Sequence, residues 1–177
     1  RYRRTSLFSK TGIELNNKLD LTLIGGYVDL KAQIPSSLDR ETYINSPEKA
    51  AQNWAAIKGF EQYEKFFTGA TIHSSLHKKI QNKTTAWGQS KNSYESRPFN
   101  ILSDKLRGAG LRTKFNFLLT NRLDIILGAE LYNETYDWAI FETDEGEKKE
   151  ILNKNNETRK NMNLFSSADI KIGRAHV

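Results

Sequence analysis

Lys105 to Trp138 reads KLRGAGLRTKFNFLLTNRLDIILGAELYNETYDW, and it alternates in two arms. In the first, Ala109, Leu111, Thr113, Phe115, Phe117 and Leu119 take odd positions, with Gly110, Arg112, Lys114 and Asn116 between them. In the second, Leu123, Ile125, Leu127, Ala129 and Leu131 are odd, while Asp124, Gly128, Glu130, Tyr132 and Glu134 are even. A period of two belongs to a strand with one apolar and one polar face. Thr120-Asn121-Arg122 leaves room only for a tight turn.

Parity sets the pairing. Odd residues share a face of an antiparallel pair only when opposed residue numbers have an even sum. A two-residue loop gives an odd sum, and a three-residue loop, which pairs Leu119 with Leu123, gives an even one. The register that follows sets Phe117 against Ile125, Phe115 against Leu127 and Leu111 against Leu131. On the polar face it sets Arg112 against Glu130, an opposite-charge pair.

Each arm has about fifteen residues and runs roughly 45–50 Å, whereas an ordinary strand has about 5–6 residues. A strand that crosses a bilayer needs only about 9–11. The hairpin suits a wall between lipid and water, with its excess projecting beyond the bilayer. A long hairpin in a soluble sandwich or curved sheet satisfies the same alternation.

Composition narrows the field. The sequence has no unbroken apolar run long enough for a membrane helix, which leaves barrel strands open. Apolar residues make up 37%, low for a domain with a two-sided core but tolerable for a barrel with a wet lumen. Cysteine is absent, so disulfides, thiolate metal sites and cysteine nucleophiles are excluded. The net charge of +6 comes from basic residues interleaved with acids, the pattern of a solvated surface rather than a nucleic-acid patch. Met162 is the single methionine, and Arg1-Tyr2-Arg3-Arg4 is no signal segment, so a piece of a longer protein is expected. Residues 172–177, Ile-Gly-Arg-Ala-His-Val, resemble translated read-through of a sequencing adapter. His176 is therefore not read as chemistry, and residues 1–171 are taken as the structural segment.

Along the chain, Ser6–Leu15 and Leu19–Lys31 predict a first hairpin around Asn16-Asn17-Lys18, with Gly25-Gly26 as a bulge or close approach. Residues 32–62 predict a long loop holding one short helix, started by Ser46-Pro47-Glu48 and stopped at Gly59. Tyr63–Lys78 and Thr84–Glu95 predict the next pair. His73 and His77 lie roughly 13 Å apart on a strand, too far to share a metal. Glu142–Glu157 predicts a charged loop, and Thr158–Ile172 a seventh strand. Short turns near 16–18, 79–83 and 120–122 then alternate with long loops at 32–62, 96–104 and 139–157. That is the habit of an outer-membrane barrel, with tight turns at one end and extended loops at the other.

Several phrases carry a family resemblance. They are Gln33-Ile34-Pro35-Ser36-Ser37-Leu38; Asn45-Ser46-Pro47-Glu48-Lys49-Ala50-Ala51 with Trp54 and Gly59; Arg97-Pro98-Phe99-Asn100-Ile101-Leu102; Gly110-Leu111-Arg112-Thr113; and Gly128 to Trp138. Together, over residues 6–171, the chain resembles a barrel segment of TonB-dependent outer-membrane receptors, nearest the branch that imports ferric siderophores and iron chelates such as ferric citrate. The resemblance implies an all-β meander of seven long antiparallel strands within a 22-stranded transmembrane barrel. It further implies a plug in the lumen, an energy-coupling TonB protein as partner of that plug, an iron chelate as ligand and outer-membrane lipid as surroundings. Neither plug nor coupling box is recognisable in this sequence, and seven strands cannot close such a barrel, so the piece is not expected to fold or transport alone.

No catalytic constellation, cofactor loop or metal cluster is evident, and no enzyme activity is expected. Asp124, Glu130 and Glu134 read as a lumen charge ladder with Arg112 and Lys114, Arg112–Glu130 being its structural pair. Anionic chelates favour arginine and aromatics near the outer loops, which singles out Tyr94, Arg97 and Trp138 as ligand contacts. Two other functions fit the same pattern: a soluble extracytoplasmic β-sandwich for adhesion or carbohydrate binding, and a passive porin.

Overall fold

The computed structural model describes residues 1–172. Seven strands form one antiparallel sheet in sequence order. They are β1 (Tyr2–Asn16), β2 (Leu19–Gln33), β3 (Phe60–His77), β4 (Ile80–Ser96), β5 (Ile101–Thr120), β6 (Leu123–Asp144) and β7 (Glu147–Ile170). Lengths run from 15 residues in β1 to 24 in β7. Two short helices, α1 (Arg40–Asn45) and α2 (Gln52–Ile57), lie between β2 and β3. Among the described residues no second sheet forms, so the two-layer sandwich has no counterpart here. No described helix is long and apolar enough to cross a membrane, which leaves crossing by strands untouched.

The central hairpin has the register that parity demands: Phe117 faces Ile125, Phe115 faces Leu127, Leu111 faces Leu131 and Arg112 faces Glu130. Its tip differs. Thr120 pairs with Leu123 around Asn121-Arg122, and the register shifts between Leu118 and Thr120. The loop is a two-residue turn, and the extra residue that keeps the sum even is a bulge at Leu119. Asn16–Leu19 and His77–Ile80 close in the same way, with shifts that leave out Leu15 and Leu76. In all three hairpins the residue before the turn accepts a hydrogen bond from the backbone N–H two residues on. Asn16 Oδ1 accepts from Lys18 at 2.9 Å, His77 Nδ1 from Lys79 at 3.3 Å and Thr120 Oγ1 from Arg122 at 3.1 Å. That is the local role of His77.

The register also gives the strand tilt. Leu19 pairs with Ser74, which pairs with Asn82, so Ile80 at the next turn lies two residues lower. Ile80 pairs with Phe117, which pairs with Ile125, so Leu123 is two lower again. Each tight turn thus drops about 6.6 Å for two strand spacings totalling about 9.6 Å. Turns at one level require strands leaning about 35°, within the range of membrane barrels.

The other end departs from the expectation of three long loops. Only residues 34–59 form one. Residues 97–100 make a four-residue connection, and the charged stretch 142–157 is mostly strand, closed by Glu145 and Gly146 at φ 51° and 88°. Alternating Asp, Glu, Lys and Asn make a solvated ribbon that hydrophobic periodicity does not register. The single expected helix is two. Asp39 caps α1 by accepting from Thr42 N–H at 2.8 Å, and Ser46 ends that helix rather than starting one. α2 ends one residue before Gly59, at Lys58 in the left-handed conformation with φ 53°, while Gly59 N–H donates back to the Trp54 carbonyl and leaves room for the Trp54 ring, which a Cβ there would overlap and which meets Phe99 edge-on at 6.5 Å.

The Asp39 carboxyl is held below the ordinary carboxylate range, first by the Thr42 N–H and then by the Thr42 hydroxyl. A lowered folded value means that its stabilisation is present above the ordinary carboxylate pKa and is lost as pH falls through the lowered one. Asp39→Ala should therefore lower the amide protection factors of residues 40–45 at neutral pH, and acidification through the lowered pKa should lower them in the native loop, once the slower intrinsic exchange at low pH is divided out. Exchange measured by mass spectrometry checks both.

Candidate functional site

Pairing sums change parity at each connection opposite the tight turns, residues 34–59, 97–100 and 145–146, so the apolar face runs through odd residues on β1, β2, β5 and β6 and even residues on β3, β4 and β7. One row across it reads Thr11, Leu23, Ala70, Ala86, Leu111, Leu131 and Met162. The apolar stretch covers Leu7–Leu15 on β1, Leu19–Tyr27 on β2, Phe66–Leu76 on β3, Ala109–Leu119 on β5, Leu123–Leu131 on β6 and Met162–Ile170 on β7. Each stretch holds nine or eleven residues, the span of a bilayer-crossing strand. Large side chains on it stand exposed, Leu127 at 47%, Leu131 at 49% and Leu164 at 75%. Above the stretch the same face turns polar, with Asp29, Glu64, Asn92, Lys105 and Asp137 in one row.

The opposite face is polar and floored by glycine. A Cβ on Gly26 would overlap the Phe67 ring; Gly110 stands so to Trp87, and Gly128 to Phe165. Each ring lies on the glycine paired with it across the strands. Trp87 and Tyr132 flank Gly110 and stack at 6.4 Å and 15°. Arg112 Nε stands 3.8 Å from Glu130, with its guanidinium 4.8 Å from the Phe165 ring centre.

Near the long-loop end this face gathers a second cluster. Arg97 meets Glu95 at 2.5 Å, both about three-quarters buried. Asp104, 8% exposed, accepts from the Ser93 hydroxyl and lies directly across from Trp138. Trp138 Nε1 points at Glu157 at 3.5 Å. Burial first, then Asp104, raises the Tyr136 phenol, while Arg97 opposes the rise. A guanidinium, two aromatics and a buried acid thus converge at the rim.

The three expected ligand contacts do not share a face. Arg97 lies close to Tyr136 in the rim cluster, and Trp138 stands on the same polar face as Tyr136. Tyr94 belongs to the other face, where it stacks on Phe60 at 5.9 Å and 27° beneath Lys31. Sequence reasoning takes residues 96–104 as a loop, which hides the parity of Asp104, and reads Tyr136 as an aromatic at the loop end rather than a ligand contact, although its place two residues before Trp138 puts it on the same face. Among the described residues no cluster of His, Asp and Glu is placed to hold a metal ion.

No protein-family model and no curated protein matches this chain. Among solved structures it matches the ferric citrate transporter FecA in its unliganded form, with a TM-score of 0.82 over 96% of this chain, at 10% identity. The fold is that of a section of a FecA-like barrel. The chain spans 27% of that transporter's length, and the seven-stranded meander corresponds to part of its barrel.

Proposed function

We propose that this chain is part of the wall and outer rim of a TonB-dependent outer-membrane transporter for ferric siderophores or similar iron chelates. One observation carries the reading: an apolar stretch of nine or eleven residues on six of the seven strands, β4 being the exception with Asn82 and Thr84 on that face, lies on strands whose turns step at the tilt of a membrane barrel and backs a polar face. The likeness to a ferric citrate transporter supports the ligand class. Tight turns then face the periplasm, and the rim with residues 34–59 faces outward. The Arg97 guanidinium and the Trp138 ring offer an anionic chelate a charge and a face. Tyr94 acts from the other side by bracing the rim.

The test uses the full-length protein recovered with its flanking sequence. Arg97→Ala and Trp138→Ala should each weaken binding of ferric citrate or a ferric hydroxamate by about tenfold or more, read by calorimetry. Uptake of labelled chelate that persists after the proton gradient collapses would point to a passive porin instead.

A further inference from the structure

Immediately above the apolar stretch, the same face changes sign across the sheet. With the strands leaning as their turns require, a level line moves one residue toward the tight turns at each strand from β2 to β7. Glu64 on β3, Arg107 on β5 and Lys160 on β7 then stand at one height, with Asp29 on β2 within a residue of it. The level is acidic over β2 and β3 and basic over β5 and β7. Arg107 and Lys160 are exposed, and among the described residues neither has a carboxylate within ion-pair distance. On β5, β6 and β7 the acid of that face nearest this level is Asp137, which lies opposite Lys105 and accepts from the Asn156 amide.

Between the two cations the face is hollow. A recess of about 500 Å³ has Ala109, Leu111, Leu131 and Met162 as its apolar floor, Asn133 and Lys160 at its upper end, and no acid in its lining. Arg107 and Lys160 lie two strands and two residues apart, about 12 Å between α-carbons, so their side chains converge over the top of the recess. An apolar floor beneath a pair of cations matches an amphiphile. A free anion would leave the floor empty, and a neutral lipid would leave the cations unanswered. We infer that the recess holds one phosphorylated lipid, its acyl chain on Leu111, Leu131 and Met162 and its phosphate between Arg107 and Lys160. The inference rests on the transporter reading, which sets this face in the bilayer with the basic level toward the outer leaflet.

The test uses the full-length protein in phosphatidylcholine vesicles that carry a minor fraction of lipid A, a phosphorylated glycolipid, with a photo-crosslinking amino acid in place of Leu131. Capture of lipid A should exceed its share of the vesicle about tenfold. The same amino acid in place of Tyr27, level with Leu131 but beneath Asp29 and Glu64, should capture lipids in their bulk proportion. Arg107→Gln with Lys160→Gln should bring position 131 down to that proportion, and so should removal of the phosphates from lipid A. Bulk proportion at 131, equal enrichment at both positions, or enrichment that survives loss of the cations or of the phosphates overturns the inference while the membrane reading stands. Capture of no lipid at either position defeats the membrane reading, and this inference with it. Heat-modifiable gel mobility reports assembly. If the double variant fails to assemble, the comparison of lipid A with its dephosphorylated form decides.

Discussion

Leu127→Arg should destabilise the assembled barrel by about 2–4 kcal/mol, while Thr135→Arg on the same strand and face should cost about 0–1 kcal/mol. Leu127 is central in the apolar stretch Leu123–Leu131, and its side chain stands between Phe115 on β5 and Ser166 on β7. Nothing in the sheet covers it, so on the proposed reading hydrocarbon surrounds it. Thr135 lies two residues above the neighbouring Asn133–Lys160 pair, where the face has already turned polar. The measurement is urea unfolding of the full-length barrel in vesicles, repeated with longer and shorter acyl chains. A penalty at 127 that shrinks in the thinner bilayer identifies lipid as the partner. A penalty indifferent to acyl length would mean that another protein layer covers Leu127, and the membrane reading would fail.

Period-two patterning carries most of the fold, because a single sheet with one apolar and one polar face must alternate. Leu111 to Leu131 gave the register by parity alone, and the structure has that register. What patterning missed lies where alternation has no apolar partner to report it. Residues 142–157, apart from Ile151 and Leu152, are polar on both faces and read as loop, yet form the top of β6 and β7. Leu15, Leu76 and Leu119 are bulged, and a bulge shifts parity without leaving a mark in the composition. The helical loop misled for a different reason. Ser46-Pro47-Glu48 has the chemistry of a helix start, but Asp39 and Thr42 already hold a turn upstream, and the serine serves as its end. At the candidate rim, residue type points to Arg97 and Trp138, whereas the face of Tyr94 follows from the connections 34–59 and 97–100, at each of which the parity of the apolar face switches.

Gly110→Val should cost about 1–3 kcal/mol of barrel stability, and Trp87→Ala in the same chain should remove most of that cost. Gly110 is paired with Trp87 on one side and Tyr132 on the other, and the two rings stack over it. A side chain at 110 must displace the indole, and with it the Gln89–Tyr132 hydrogen bond at 3.2 Å. Trp87→Ala alone also destabilises, since it uncovers the glycine backbone that the ring shields. The informative quantity is therefore the coupling in a four-variant cycle, expected at about 0.5–3 kcal/mol. Gly12→Val is the control on the same face, because a Cβ there meets nothing within 4 Å. Strict additivity at Gly110 would mean that the ring is free to leave without cost, and that the glycine serves only the backbone. Coupling would instead explain why bulky aromatics occur on the polar face at all. Laid flat on glycines, Phe67, Trp87 and Phe165 add apolar packing between strands while projecting little into the lumen, so the wall gains stiffness without narrowing the space it encloses.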